Sequence, residues 1–151
     1  MGFQREETDF DRAVAEIQRQ IIEREQTLYS AKVIEAAHNP AHFGTMTEPD
    51  AYGIIHGWCG DTMEIYLRLD GDRIAEATFT TDGCGPSVAC GNTIATIVHG
   101  MSLAEAGEIR PEDLIEALDG LPEDSTHCAE LAVSTLRAAI ANSSDRSNLQ
   151  G

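Results

Sequence analysis

The stretch Ile65-Tyr66-Leu67-Arg68-Leu69-Asp70-Gly71-Asp72-Arg73-Ile74-Ala75-Glu76-Ala77-Thr78-Phe79-Thr80-Thr81 decides the fold. Ile65, Leu67 and Leu69 alternate with Tyr66 and Arg68, Asp70-Gly71 supplies a turn signal, and Ile74, Ala75, Ala77 and Phe79 follow. A period of two on either side of an Asp-Gly pair reads as two antiparallel strands of one hairpin. Just upstream, residues 51–57 read as a third strand, weakened by Gly53 and Gly57.

Outward from this hairpin the period becomes helical. Phe10, Val14, Ile17, Ile21 and Leu28 recur at three- and four-residue spacing within residues 8–29, one amphipathic helix opened by a capping-box-like Thr8 and Asp11. A second helix covers residues 30–37 and stops at His38-Asn39-Pro40, because the residue before a proline is driven out of the helical region. Residues 41–50 read as loop. After Pro86, Val88, Ala89, Ile94, Ile97 and Val98 mark a helix running to His99-Gly100, with the glycine as C-cap. Short helices over 102–106 and 111–118 precede Gly120-Leu121-Pro122, and a last helix runs over 127–141 into a frayed polar tail. The expected fold is α+β: a small antiparallel sheet of about three strands packed against several helices, with an additional N-terminal helix. The expected divisions are an N-terminal extension over 1–27, a domain over 28–142 and a tail over 143–151.

The 151 residues, 42% hydrophobic and 24% charged, fit one domain with a real core. Twenty-six acidic against 10 basic residues leave a formal charge of −16, which repels nucleic-acid phosphates and anionic lipid heads. No apolar run approaches the ~20 residues of a membrane span. The opening Met1-Gly2-Phe3-Gln4-Arg5 lacks the character of an export or transit signal, so the expectation is a cytoplasmic protein.

In a reducing compartment the four cysteines, Cys59, Cys84, Cys90 and Cys128, are core thiols, metal ligands or nucleophiles rather than a disulfide framework. Cys59 stands in Gly57-Trp58-Cys59-Gly60-Asp61, Cys84 in Gly83-Cys84-Gly85-Pro86, and Cys128 beside His127 at the start of the last helix. Helix N-termini favour thiolates, and glycines let backbone amides approach an anionic group closely. The separations are not those of a zinc knuckle, and any one cysteine taken alone reads equally well as a small buried hydrophobe. Cys90, among Val88, Ala89 and Gly91, reads as packing. His42, His56 and His99 are scattered and read as surface or satisfied core residues, and Trp58 as core filling.

Several motifs in register make the chain resemble the IscU/NifU-type iron-sulfur cluster assembly scaffolds. They are Tyr29-Ser30, His38-Asn39-Pro40 to Gly44, Cys59-Gly60-Asp61, the hairpin, Gly83-Cys84-Gly85-Pro86-Ser87, Gly100-Met101-Ser102 with Glu105-Ala106, and Leu121-Pro122 to His127-Cys128-Ala129. The resemblance implies a non-catalytic scaffold on which persulfide sulfur from a cysteine desulfurase meets iron. It implies a labile [2Fe-2S] or [4Fe-4S] cluster handed on to apo-proteins. Carried over by position, Cys59, Cys84 and Cys128 are ligands and sulfur acceptors, with Asp61 or His127 at the fourth coordination position. Oxygen or imidazole is a less usual cluster ligand than thiolate, so such a fourth ligand favours release. Asp61 also has a plain alternative as a turn former before Thr62. The same donor set suits Zn2+.

The chain departs from the family pattern in places. Pro40-Ala41-His42-Phe43-Gly44 lacks an arginine of the usual motif, and Glu123-Asp124-Ser125-Thr126 stands where a lysine-bearing segment precedes His127-Cys128, which argues against recognition by the dedicated Hsp70-type chaperone. The segment between Cys84 and Cys128 lacks the insertion of the zinc-dependent SufU-type branch, and no second cluster domain of a modular NifU protein is expected after Ala141. The N-terminal helix is longer than the usual arm; packing on the domain is the favoured reading, beside pairing with a second copy as a homo-oligomer or contact with the desulfurase. Two other functions compete with the scaffold. One is a zinc-containing sulfurtransferase partner that takes persulfide on Cys128. The other is a cysteine hydrolase using Cys128 and His127, disfavoured because adjacent residues at a helix start generally point apart.

Overall fold

The computed structural model describes residues 9–150 apart from positions 58, 59 and 84, and describes side chains outside 21–28 and 144–150. The expected cap at Thr8 therefore lies outside the described residues. In chain order the elements are α1 (Asp9–Leu28), α2 (Ala31–His38), β1 (Ala51–His56), β2 (Thr62–Asp70), β3 (Arg73–Thr81), α3 (Gly85–Val98), α4 (Leu103–Ala106), α5 (Pro111–Ala117) and α6 (Thr126–Gln150), with a 3-10 turn at Glu123–Ser125.

The three strands form one antiparallel sheet in the order β1-β2-β3, and the hairpin closes around Asp70↔Arg73 with a register shift at Arg68/Leu69. Residues 51–56 do form the third strand, pairing Gly53 with Ile65 and Tyr52 with Tyr66. Gly53 is there for packing: a Cβ on it would lie 2.4 Å from the backbone nitrogen of Ala139, so only glycine lets α6 lie this close to β1. Gly91 does the same for α3, where a Cβ would meet the Phe79 ring at 2.4 Å. Because strand side chains alternate, Met63, Ile65 and Leu67 all point to the helix-covered face, where they are buried with Ile74, Phe79, Ile94, Leu114 and Leu136.

The segment 41–50 is loop, but it closes an edge. The Phe79 N–H donates to His42 O at 3.1 Å and the Gly44 N–H to Phe79 O at 2.8 Å, with the Phe43 ring edge-on to Phe79. Backbone groups on β3 that would otherwise lie open are thereby paired. Ser30 caps α2, its Oγ accepting from the Val33 N–H at 3.1 Å, and Ser102 caps α4 in a reciprocal box with Glu105. Gly100 ends α3 with φ 84°, the left-handed turn expected of it.

Two elements differ from expectation. α6 continues beyond Ala141 to Gln150. Asn142 Nδ2 donates to the Tyr52 carbonyl on β1, and Ser143 is buried, so tertiary contacts carry the helix through residues whose own propensity is poor. α1 meets the domain at α2, yet Phe10 is 75% and Ile17 55% exposed. Packing of that stripe on the domain is not what the structure shows.

Candidate functional site

Cys128 lies in the first turn of α6, behind the 3-10 turn, where Thr126 Oγ1 donates to Glu123 O at 3.0 Å. The first amides of a helix have no partners within it and favour negative charge nearby. Cys128 is buried, at 1% exposure. His127, next to it, is half-buried, and its Nε2 stands 3.6 Å from Cys128 Sγ. Neighbours at a helix start are expected to point apart; here the His127 imidazole instead reaches back to the Cys128 sulfur, which corrects that expectation.

Asp61 enters from the turn before β2. The Gly57 N–H donates to Asp61 O at 2.6 Å and the Gly60 N–H to Gly57 O at 3.0 Å, a tight turn in which Gly60 has φ 92°. Asp61 Oδ2 lies 3.3 Å from Ser87 Oγ, and that same hydroxyl lies 3.3 Å from Cys128 Sγ. The loop before α3 completes the arrangement at Gly83, where a Cβ would be 2.6 Å from Ser87 Oγ and 3.1 Å from Asp61 Cγ. Two chain segments thus supply an oxygen, a nitrogen and a sulfur donor, and a third supplies the Ser87 hydroxyl that bridges the oxygen and the sulfur. Cys59 and Cys84, the other two expected ligands, lie outside the described residues, as does Trp58. Among the described residues alone, no three His, Cys, Asp or Glu side chains form a metal-sized cluster.

A cavity of about 190 Å³ opens beside this cluster, lined by Ile55, His56, Asp61, His127, Glu130 and Leu131 among others. His56, read from sequence as a lone histidine, contributes to the wall, its Nδ1 2.8 Å from Thr62 Oγ1. His99 is exposed, and Cys90 is fully buried in the core, where its helical surroundings put it. The residue whose part sequence reasoning missed is Ser87. The available signal was its place on the inward stripe of α3 with Cys90, Gly91 and Ile94: a hydroxyl on an apolar face needs a polar reason.

A second polar cluster lies on the opposite face of the sheet. Glu64 accepts from Tyr66 Oη at 2.6 Å, Thr80 Oγ1 at 2.9 Å and Tyr52 Oη at 3.0 Å. These donors, Tyr66 foremost, hold the Glu64 carboxyl below its ordinary range. Burial, followed by the hydrogen bond to Glu64 and then that carboxylate's charge, pushes the Tyr52 phenol up to about 12. This cluster satisfies itself and serves the sheet. Among the described residues, no helix is long and apolar enough to cross a membrane.

The family model described as "NifU-like N terminal domain" matches residues 28–150. An iron-sulfur cluster assembly scaffold protein IscU from Haemophilus influenzae is 38% identical over 119 residues, covering 76% of this chain and 94% of the relative. An archaeal counterpart, IscU 1 from Archaeoglobus fulgidus, is 35% identical over 114 residues, 75% of this chain and 74% of the relative. The crystal structure of the N-terminal part of a NifU-like protein from Brucella abortus shares the fold with TM-score 0.63 at 19% identity, covering 79% of this chain and 96% of that one.

Proposed function

The chain belongs to the NifU-like N-terminal domain family, and from that premise we propose that it is a scaffold for iron-sulfur cluster assembly. In this reading it takes sulfur from a cysteine desulfurase, gathers iron, holds the resulting labile cluster, a [2Fe-2S] unit in the first instance, and passes it to apo-proteins. The cluster is cargo, and the protein acts stoichiometrically. The observation that carries the reading is the link through the Ser87 hydroxyl between Asp61 and Cys128, residues from two motifs far apart in sequence, with the His127 imidazole 3.6 Å from the Cys128 sulfur.

The donor chemistry supports this assignment. Cys128, with Cys59 and Cys84, supplies the soft thiolates that iron-sulfur clusters require. Asp61 and His127 compete for the fourth position, and whichever fills it is a less usual cluster ligand than a fourth thiolate, which suits a cluster that has to leave. Sulfur reaches the scaffold when a cysteine thiolate here attacks the outer sulfur of the desulfurase persulfide: a new S–S bond forms, and the desulfurase cysteine leaves as thiolate. Cys128, Cys59 and Cys84 are the candidate acceptors. Zn2+ fits the same donors, and isolated protein carrying it is compatible with the scaffold reading.

The test is anaerobic reconstitution with ferrous iron, cysteine and a cysteine desulfurase, followed by visible absorption and Mössbauer spectroscopy on wild type and on Cys→Ser variants at 59, 84, 90 and 128. A cluster that needs Cys59, Cys84 and Cys128 but tolerates loss of Cys90 is the expected result. Persulfide accumulating on Cys128 with no cluster, while zinc stays bound, would replace the scaffold with the sulfurtransferase. Asp61→Ala is expected to slow loss of the cluster to a chelator, and faster loss would count against Asp61 as the releasing ligand.

A further inference from the structure

Ser87 has one hydroxyl proton and two acceptors. Its Oγ is 3.3 Å from Cys128 Sγ and 3.3 Å from Asp61 Oδ2, and the residue is fully buried. The two contacts are unequal despite the equal distance. Sulfur is the larger atom, so 3.3 Å is close for O–H···S, whereas O–H···O bonds ordinarily span about 2.5–3.0 Å. By distance the sulfur is the better-placed acceptor, and the carboxylate is left with the looser contact. The hydroxyl is also held in place: the Cα of Gly83 sits so near that a methyl there would be 2.6 Å from Oγ.

We infer that Ser87 is a positioning residue that donates its hydrogen bond to the Cys128 sulfur and tethers Asp61 beside it, tuning how tightly the cargo is held. The inference rests on the proposed function, since it takes Cys128 and Asp61 as ligands. Ser87 bonds to proposed ligands and is not itself proposed as one. It acts through the sulfur, because a hydrogen bond to a ligating thiolate withdraws electron density from it and lowers the energy of its lone pairs. It also keeps the Asp61 carboxylate within reach while binding it weakly enough to leave.

The probe is Co2+ added anaerobically to the metal-free protein, with the sulfur-to-cobalt charge-transfer band as the readout. In Ser87→Ala the sulfur lone pairs rise in energy, so the band is expected at longer wavelength with its intensity, and hence the number of thiolates, unchanged. Co2+ affinity is expected to fall about tenfold, as for other residues that orient a ligand from behind. Ser87→Thr restores the hydroxyl and the wild-type band position. Gly83→Ala keeps the hydroxyl but forces it aside, and is expected to reproduce the red shift by an independent route should Ser87→Ala not fold. A band at the wild-type wavelength in whichever of Ser87→Ala and Gly83→Ala is folded overturns the inference while leaving the scaffold reading standing. Absence of any thiolate band in wild type overturns both.

Discussion

The two longest helices, α1 and α6, invert what their sequences advertise. α1 has the cleaner stripe, with Phe10, Val14 and Ile17 on one side and charges around the rest, yet in the structure that stripe faces outward. α6 has small and polar residues on every side, among them Ala132, Ser134, Thr135, Ala139 and Ser143, and packs against β1, β2, α3 and α5. An amphipathic pattern records that a helix has an apolar face, without saying what covers it. Close approach to a sheet depends instead on small residues, and the α6–β1 contact is set by Gly53 against the backbone at Thr135 and Ala139. Since Cys128 and His127 ride on the first turn of α6, this contact also fixes the site.

The largest effect is therefore expected from the interior of α6. Leu136→Ala removes a fully buried side chain and should lower unfolding free energy by about 2–5 kcal/mol, measured by urea titration of the purified protein. A cost near zero would mean that α6 is not the keystone its burial implies. Gly53→Ala comes next: the added methyl would sit 2.4 Å from Ala139 N and 2.6 Å from Thr135 O, forcing α6 outward at a cost of about 1–3 kcal/mol. It should also disturb the far end of the helix, seen as changed amide signals at His127 and Cys128 in NMR spectra, and an unchanged site would uncouple the two ends.

How far all this was legible follows from the range of the forces involved. The β2–β3 hairpin rests on alternation and an Asp-Gly turn, both local, and residues 65–81 were enough to place it. β1 was readable only with hesitation because Gly53 weakens a strand locally and strengthens the fold through a residue some 86 positions away, Ala139. The extension of α6 through Asn142 and Ser143 depends on a bond to Tyr52 that no local pattern encodes. At the site, the resemblance to a known family nominated Asp61, His127 and Cys128; the structure links Asp61 to Cys128 through the Ser87 hydroxyl and sets the His127 imidazole beside the sulfur. Ser87, sitting inside a quoted motif, gained meaning only when α3 and α6 brought its hydroxyl to both Asp61 and Cys128.

The outer face of the sheet separates stability from site chemistry. Glu64 is held below its ordinary range by the hydrogen bonds from Tyr66, Thr80 and Tyr52. A carboxyl whose folded-state pKa is depressed contributes stability that is present above its unfolded value, near 4.5, and is lost as pH falls through the folded value. Glu64→Gln should thus lower thermal stability most at neutral pH, with the gap to wild type closing as the solution is acidified below pH 4.5. A gap independent of pH would assign the loss to packing rather than to charge.

The smallest effect is expected at α1, and it is the most discriminating for the comparison. A double change, Phe10→Ser with Ile17→Ser, removes two apolar side chains already 75% and 55% exposed, so it forfeits little burial within the chain. Surface substitutions of this kind usually fall within about 0.5 kcal/mol of neutral, and thermal unfolding at low protein concentration should show no more than that. The same titration at rising concentration supplies the second half of the argument. If wild type gains stability with concentration and the double variant does not, the stripe is covered by another copy of the chain, because mass action stabilises only what binds the folded form. A large loss at the lowest concentration would instead show that the stripe does pack on its own domain in solution, and the contrast drawn between α1 and α6 would collapse.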